Sequence, residues 1–164
     1  CNALAQYQLS PACLTLELTE STALKNLKRS VEVLNAFSAL GITVSIDDFG
    51  TGYSNILMLK SLPARELKID RIFVKDISEN SKNTKIVSTI IDIAHSMNMR
   101  VVAEGIETQE QEILLTQMGC SMLQGFLFAK PLPAHKIHEL IQQENSIKQK
   151  PVVHPLSHRQ SITL

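Results

Sequence analysis

Two adjacent carboxylates, Asp47 and Asp48, open the stretch Asp47-Asp48-Phe49-Gly50-Thr51-Gly52-Tyr53. Neighbouring like charges repel, and burying an ionised pair without a cation is unfavourable. A divalent ion, or a pair of them, is the natural compensator. Gly50 and Gly52 let the backbone turn sharply there and leave room for a ligand. The plain alternative is an acidic turn that caps the next helix. Against it stand further polar groups, Glu17, Lys68, Glu104 and Gln124, each in or at the end of a short apolar run.

Those runs read as strands. Gly41-Ile42-Thr43-Val44-Ser45-Ile46 is β-branched and apolar, so a buried strand is expected directly before Asp47. Leu14-Thr15-Leu16-Glu17-Leu18 ends near Glu17, with Glu20 in the turn beyond. Leu67-Lys68-Ile69-Asp70 carries Lys68. Arg100-Val101-Val102-Ala103-Glu104-Gly105-Ile106-Glu107 bears Glu104 and Glu107, and Ser121-Met122-Leu123-Gln124-Gly125 ends in Gln124. Between them, apolar residues recur at helical spacing over Thr22–Leu40, Thr84–Met97 and Gln109–Met118, and again over Ala134–Gln142. Strands alternating with helices predict an α/β fold with a parallel sheet and crossover connections. Glu17, Asp47, Lys68, Glu104 and Gln124 then emerge at the strands' carboxyl ends, where such folds place their chemistry.

Length and charge narrow the classes further. The chain has 164 residues, which suits one domain but falls short of the roughly 250 of a closed barrel. Lysine plus arginine equals aspartate plus glutamate at 16 each, so no bulk attraction to a nucleic-acid polymer or a membrane is implied. No apolar run approaches the length of a membrane span, and no secretory signal is visible. Three cysteines without metal-site spacing suit a reducing cytoplasm; Cys13 and Cys120 read as small core or near-core residues. His135 and His138 share a helical face and read as surface residues. Met97 and Met99 read as core filler. A domain over residues 1–144 is expected, followed by a flexible tail over 145–164 that holds His154 and His158.

The motifs Glu17-Leu18-Thr19-Glu20, Asp47-Asp48-Phe49-Gly50-Thr51-Gly52-Tyr53-Ser54, Leu67-Lys68-Ile69-Asp70, Val102-Ala103-Glu104-Gly105-Ile106-Glu107-Thr108 and Gln124-Gly125-Phe126 together resemble the EAL domain, in the family's order and at closely similar spacing. The resemblance covers roughly Leu4 to Gln143. It implies a modified (β/α)8, TIM-like barrel, of which this chain supplies about the last five βα units. The signature Glu-Ala-Leu glutamate and an asparagine ligand of the family belong to earlier units. The chain is therefore read as the carboxyl-terminal part of a longer protein, with the upstream half of the barrel, and sensory or GGDEF-type domains, as partners. The family's barrels often pair, so a homodimer is also implied. The parent is expected in the cytoplasm, free or tethered to a membrane.

By that resemblance the activity is hydrolysis of cyclic di-GMP to linear 5′-pGpG. Two divalent ions about 4 Å apart can hold the attacking and the leaving oxygen, and oxygen donors favour Mg²⁺ or Mn²⁺. Glu17 and Asp47 are implied ligands of one ion, Asp47 and Asp48 of the other. Lys68 is implied to hold the water or a phosphate oxygen. Glu104 is implied as metal ligand or general base, and Gln124 to orient a water or metal. Glu20 fits a brace for the loop after Asp48, and Glu107 a support for the second ion. Two other classes stay open: a non-catalytic cyclic di-GMP receptor, and an interaction module with no nucleotide role. The intact set Asp47, Asp48, Lys68, Glu104 and Gln124 favours the enzyme.

Overall fold

Short β-branched runs bounded by helices fold into one parallel sheet because only the crossover helices can cover its apolar face. The computed structural model describes residues 2–51, 56–78 and 81–148. The chain divides into two units, Cys1–Lys130 and Pro131–Leu164. In the first, helix α1 (Asn2–Gln6) and a 3-10 turn (Pro11–Cys13) precede β1 (Thr15–Thr19), α2 (Glu20–Lys25) and α3 (Leu27–Ala39). Then come β2 (Thr43–Phe49), α4 (Ile56–Ser61), β3 (Glu66–Ile69), α5 (Arg71–Val74), α6 (Lys82–Ser96), β4 (Arg100–Glu104), α7 (Gln109–Gln117) and β5 (Met122–Gln124). The second unit carries α8 (Ala134–Lys148).

The strands lie in sequence order, β1-β2-β3-β4-β5, with every neighbouring pair parallel. The alternation predicts such a parallel sheet, and the family resemblance predicts that it is part of a (β/α)8 barrel. Successive strand residues face opposite sides. Leu18, Val44, Ile46, Leu67, Ile69, Val101 and Ala103 turn toward the helices and, with Val87, Ile91 and Ala94 of α6, make the core. Each fully buried aliphatic side chain there contributes about 1.5–3 kcal/mol. The opposite face carries Glu17, Ser45, Glu66, Lys68, Val102, Glu104 and Gln124, brought level by the register Glu17↔Ser45, Ser45↔Glu66, Lys68↔Val102 and Glu104↔Gln124.

Several expectations need correction, and others hold. The single helix expected over Thr22–Leu40 is two, because Asn26 leaves helical geometry and its Oδ1 accepts the Arg29 N–H at 3.1 Å, capping α3. Helices α4 and α5 are too short to show periodicity and were not anticipated. Strand β2 does not stop at Ile46 but runs through Phe49. Cys13 is exposed in the 3-10 turn rather than near the core, whereas Cys120 packs against it. Met99 is buried and Met97 packs beside it. Helix α8 continues to Lys148, past the expected start of the tail; residues 149–164, with His154 and His158, lie outside the described residues. His135 and His138 are exposed on α8. Among the described residues, no helix is long and apolar enough to cross a membrane.

Candidate active site

Strict alternation along β2 would send Asp48 to the helix-facing side, among Ile46, Ile69 and Val87. A bulge prevents this. Ile46 pairs with Leu67 and Phe49 with Ile69, so β2 spends three steps where β3 spends two, and Asp47 and Asp48 both stand opposite Lys68. The extra residue is absorbed by Asp48 itself, at φ +55°, a left-handed conformation that aspartate tolerates better than most side chains. Phe49 thereby returns to the core. Gly50 continues the turn at φ +94°, and a Cβ there would come within 3.0 Å of the Phe73 ring.

Buried Glu20, the first residue of α2, reaches this turn. Its Oε2 accepts the Gly50 N–H at 3.3 Å. The Asp47 Oδ1 accepts the Asp48 N–H at 3.0 Å, and the Thr51 hydroxyl donates to the Asp48 carbonyl at 2.8 Å. The loop directly after the two aspartates is therefore held from both sides. Gly52, Tyr53 and Ser54 of the same motif lie outside the described residues.

Lys68 is the centre of the polar face. Its ammonium lies 2.6 Å from Glu104 Oε1, 2.9 Å from Glu17 Oε1 and 3.4 Å from Asp47 Oδ1, while its side chain is only 8% exposed. Burial alone would depress its pKa. Hydrogen bonds to Glu104 and Glu17 and the charges of Glu104 and Asp47 outweigh that, so the ammonium is held above the ordinary lysine value. Asp48 shows the reverse imbalance. Burial, the charge of Asp47, contact with Asp70 and the charge of Glu104 hold its carboxyl above the usual range.

Three carboxylates, Glu17, Asp47 and Glu104, share the single Lys68 ammonium with Asp48 next to them, so the site is short of positive charge. That excess of oxygen donors fits divalent cations of the Mg²⁺ or Mn²⁺ kind. Among the described residues, no three acid, imidazole or thiol side chains already close around one point as a ligand cage. Glu17, Asp47 and Glu104 close around the Lys68 ammonium instead.

Gln124 lies beside Glu104 through the register of β4 and β5, and both line a cavity of about 190 Å³ with Arg71, Gly105, Glu107 and Phe126. Glu107 turns its Oε1 to Arg71 Nη2 at 2.6 Å. The structure thus gathers Glu17, Asp47, Asp48, Lys68, Glu104 and Gln124 at one end of the sheet, with Glu20 behind the loop and Glu107 at the rim.

Two neighbours escaped the sequence reading. Asp70, which ends the Leu67-Lys68-Ile69-Asp70 run, meets Asp48 and caps α5 by accepting the Ile72 N–H at 2.6 Å. Arg71 follows it. The bulge was legible in principle: Ile46 and Phe49 are both apolar, and a three-residue spacing cannot put both on one face of a regular strand.

Comparisons with known proteins bear on the family and the fold. The model of the EAL domain family matches residues 1–131. The bifunctional diguanylate cyclase/cyclic di-GMP phosphodiesterase MucR of Pseudomonas aeruginosa is 48% identical over 136 residues, covering 83% of this chain and 20% of MucR. The cyclic di-GMP phosphodiesterase NbdA of the same organism is 39% identical over 141 residues, covering 86% of this chain and 18% of NbdA. The chain therefore spans about a fifth of the length of these curated relatives. Among solved structures, the PaMucR phosphodiesterase in complex with c-di-GMP superposes with a TM-score of 0.79 at 48% identity, over 83% of this chain and 55% of that one. The manganese/cy-diGMP complex of BlrP1 from Klebsiella pneumoniae gives 0.74 at 32% identity, over 79% and 33%. On the matched motifs, the fold and these relatives, the chain belongs to the EAL domain family.

Proposed function

We propose that this chain is the carboxyl-terminal part of a cyclic di-GMP phosphodiesterase barrel that cleaves its substrate to linear 5′-pGpG. The reading rests above all on Lys68, a nearly buried ammonium gripped by Glu17, Asp47 and Glu104 at the carboxyl ends of parallel strands. A pure binding surface has no need of so concentrated a set of acids around one cation. Glu17 and Asp47, and Asp47 with Asp48, would hold two divalent ions, Mg²⁺ or Mn²⁺. Bound there, the ions would supply Lewis-acid activation of a water and neutralise charge on the scissile phosphate.

The remaining steps belong to the chain's own residues. Lys68, freed from part of its carboxylate shell, donates hydrogen bonds to a non-bridging phosphate oxygen or to the attacking water. Glu104 accepts the proton that the water loses on attack. Gln124, fixed beside Glu104, orients that water through its amide. Glu20 keeps the turn at Gly50 in place, so that Asp47 and Asp48 keep their spacing. The isolated chain would lack activity, because the upstream half of the barrel supplies the rest of the site; two such barrels would pair.

The test is turnover of cyclic di-GMP by the complete barrel with Mg²⁺ or Mn²⁺, followed by chromatography of 5′-pGpG. Asp47→Ala should abolish hydrolysis while binding falls less. Near wild-type turnover by Asp47→Ala would overturn the ligand assignment. Tight binding by the wild type without turnover would make the protein a receptor instead.

A further inference from the structure

We propose that Arg71 is a specificity-determining residue that reads the Hoogsteen edge of one guanine of the substrate, aimed by Glu107. The inference rests on the functional reading above and names a residue which that reading leaves without a role. The Arg71 stem lies across Gly105, whose φ is +73° and where an added Cβ would fall 2.3 Å from Arg71 Cγ. The direction of the arginine thus depends on a missing side chain in the middle of the Glu104-Gly105-Ile106-Glu107 stretch. At its tip, Nη2 meets Glu107 Oε1 at 2.6 Å.

Both partners stand on fixed backbone. The Gln111 Oε1 accepts the Glu107 N–H at 2.8 Å and the Thr108 N–H at 3.1 Å. Its Nε2 donates to the carbonyls of Val74 at 3.1 Å and Lys75 at 3.3 Å. One buried glutamine therefore staples the end of α5 to the loop after β4 and fixes the two sides of the pair relative to each other. Yet the pair is about half exposed, 56% for Arg71 and 45% for Glu107. Exposed pairs add little to stability. This degree of positioning points to recognition.

The cavity tells which ligand. At about 190 Å³ it takes one heterocycle and is well below the size of a pocket that swallows a whole drug-sized ligand. Phe126, about half exposed, offers an aromatic wall; Lys130, which does not line the cavity, lies 5.9 Å from its ring centroid. An arginine has five N–H donors in a planar fork, and one of them is occupied by Glu107. Two adjacent acceptors on a flat ring take two of the remaining four, as O6 and N7 of guanine do. Adenine offers N7 but sets an amino donor against the fork, which leaves a donor unpaired.

The experiment uses the complete barrel with Arg71→Lys, which keeps stem and charge but loses the fork, and Arg71→Met, which keeps only the stem. Steady-state kinetics are measured with cyclic di-GMP and its bis-adenine analogue, cyclic di-AMP, and folding is monitored by circular dichroism melts. We expect KM for cyclic di-GMP to rise about tenfold in both variants, kcat to move less, and the preference for guanine to shrink by about the same factor. Equal losses on both dinucleotides, or a fall in kcat at unchanged KM, would overturn the proposal. Turnover of cyclic di-GMP by the wild type keeps the functional reading alive in either case. If the wild type binds without turnover, equilibrium dialysis with the same pair of dinucleotides applies the same criterion. A barrel that binds neither overturns both.

Discussion

Replacing Lys68 by methionine removes the ammonium that Glu17, Asp47 and Glu104 share while keeping the volume of its stem. Glu104 at 2.6 Å, Glu17 at 2.9 Å and Asp47 at 3.4 Å would then face one another. Removing one partner of a buried ion pair costs about 3–5 kcal/mol. Glu17 is 51% exposed and Asp47 and Glu104 are 22% and 23% exposed, so water shields part of the repulsion. We take about 2–3 kcal/mol in the absence of divalent ions, which for a domain of barrel size lowers Tm by about 4–12 °C. A divalent ion at Glu17 and Asp47 competes with the ammonium, so Mn²⁺ should raise Tm more in Lys68→Met than in the wild type. Scanning calorimetry of the complete barrel in EDTA and in Mn²⁺ reads both effects. The pH dependence has a definite sign. A lysine held above its ordinary pKa contributes stability in full below the unfolded value and loses it as pH rises through the folded one. The gap between wild type and variant should stay constant from neutral pH to about 10 and close only above that. Equal melting of the two proteins in EDTA, with equal responses to Mn²⁺, would refute the view that Lys68 is the counter-cation of this site.

Gly125→Ala places a Cβ 2.1 Å from the Ile106 carbonyl oxygen and 2.2 Å from its nitrogen. Backbone cannot swing aside as a side chain can, so a loss of about 3 kcal/mol is expected in a denaturant melt. Cys13 is exposed, whereas burial raises the Cys120 thiol above its ordinary pKa; iodoacetamide at pH 8 should label Cys13 ahead of Cys120 by mass spectrometry. Expressed alone, the chain should self-associate on size-exclusion chromatography and show no turnover. Strands β1 and β5 are the sheet's edges, and Leu14, Met122 and Phe126 are exposed beside them. A monodisperse, active monomer would contradict that expectation.

What the residues alone could reveal followed from how local each signal is. Strands such as Leu67–Asp70 are legible because a β-branched or apolar run bounded by turns has few alternatives, and parallel pairing follows from the helices between. The break at Asn26 was harder to see: the apolar spacing continues across it, and only the capping of Arg29 by the asparagine side chain separates two helices. Asp47 and Asp48 were legible as a pair; the spacing of Ile46 and Phe49 hints at a bulge, but only the register against a strand about twenty residues later in the chain turns both aspartates toward Lys68. Arg71 is the extreme case. In sequence it is one charged residue after a strand. It acquires meaning only when Gly105 leaves room for its stem, Glu107 meets its tip and Gln111 fixes the loop that carries Glu107. Residues that bear the chemistry sit at strand ends, where pattern reveals them. Residues that aim a substrate are assembled across crossovers, where only the fold brings them together.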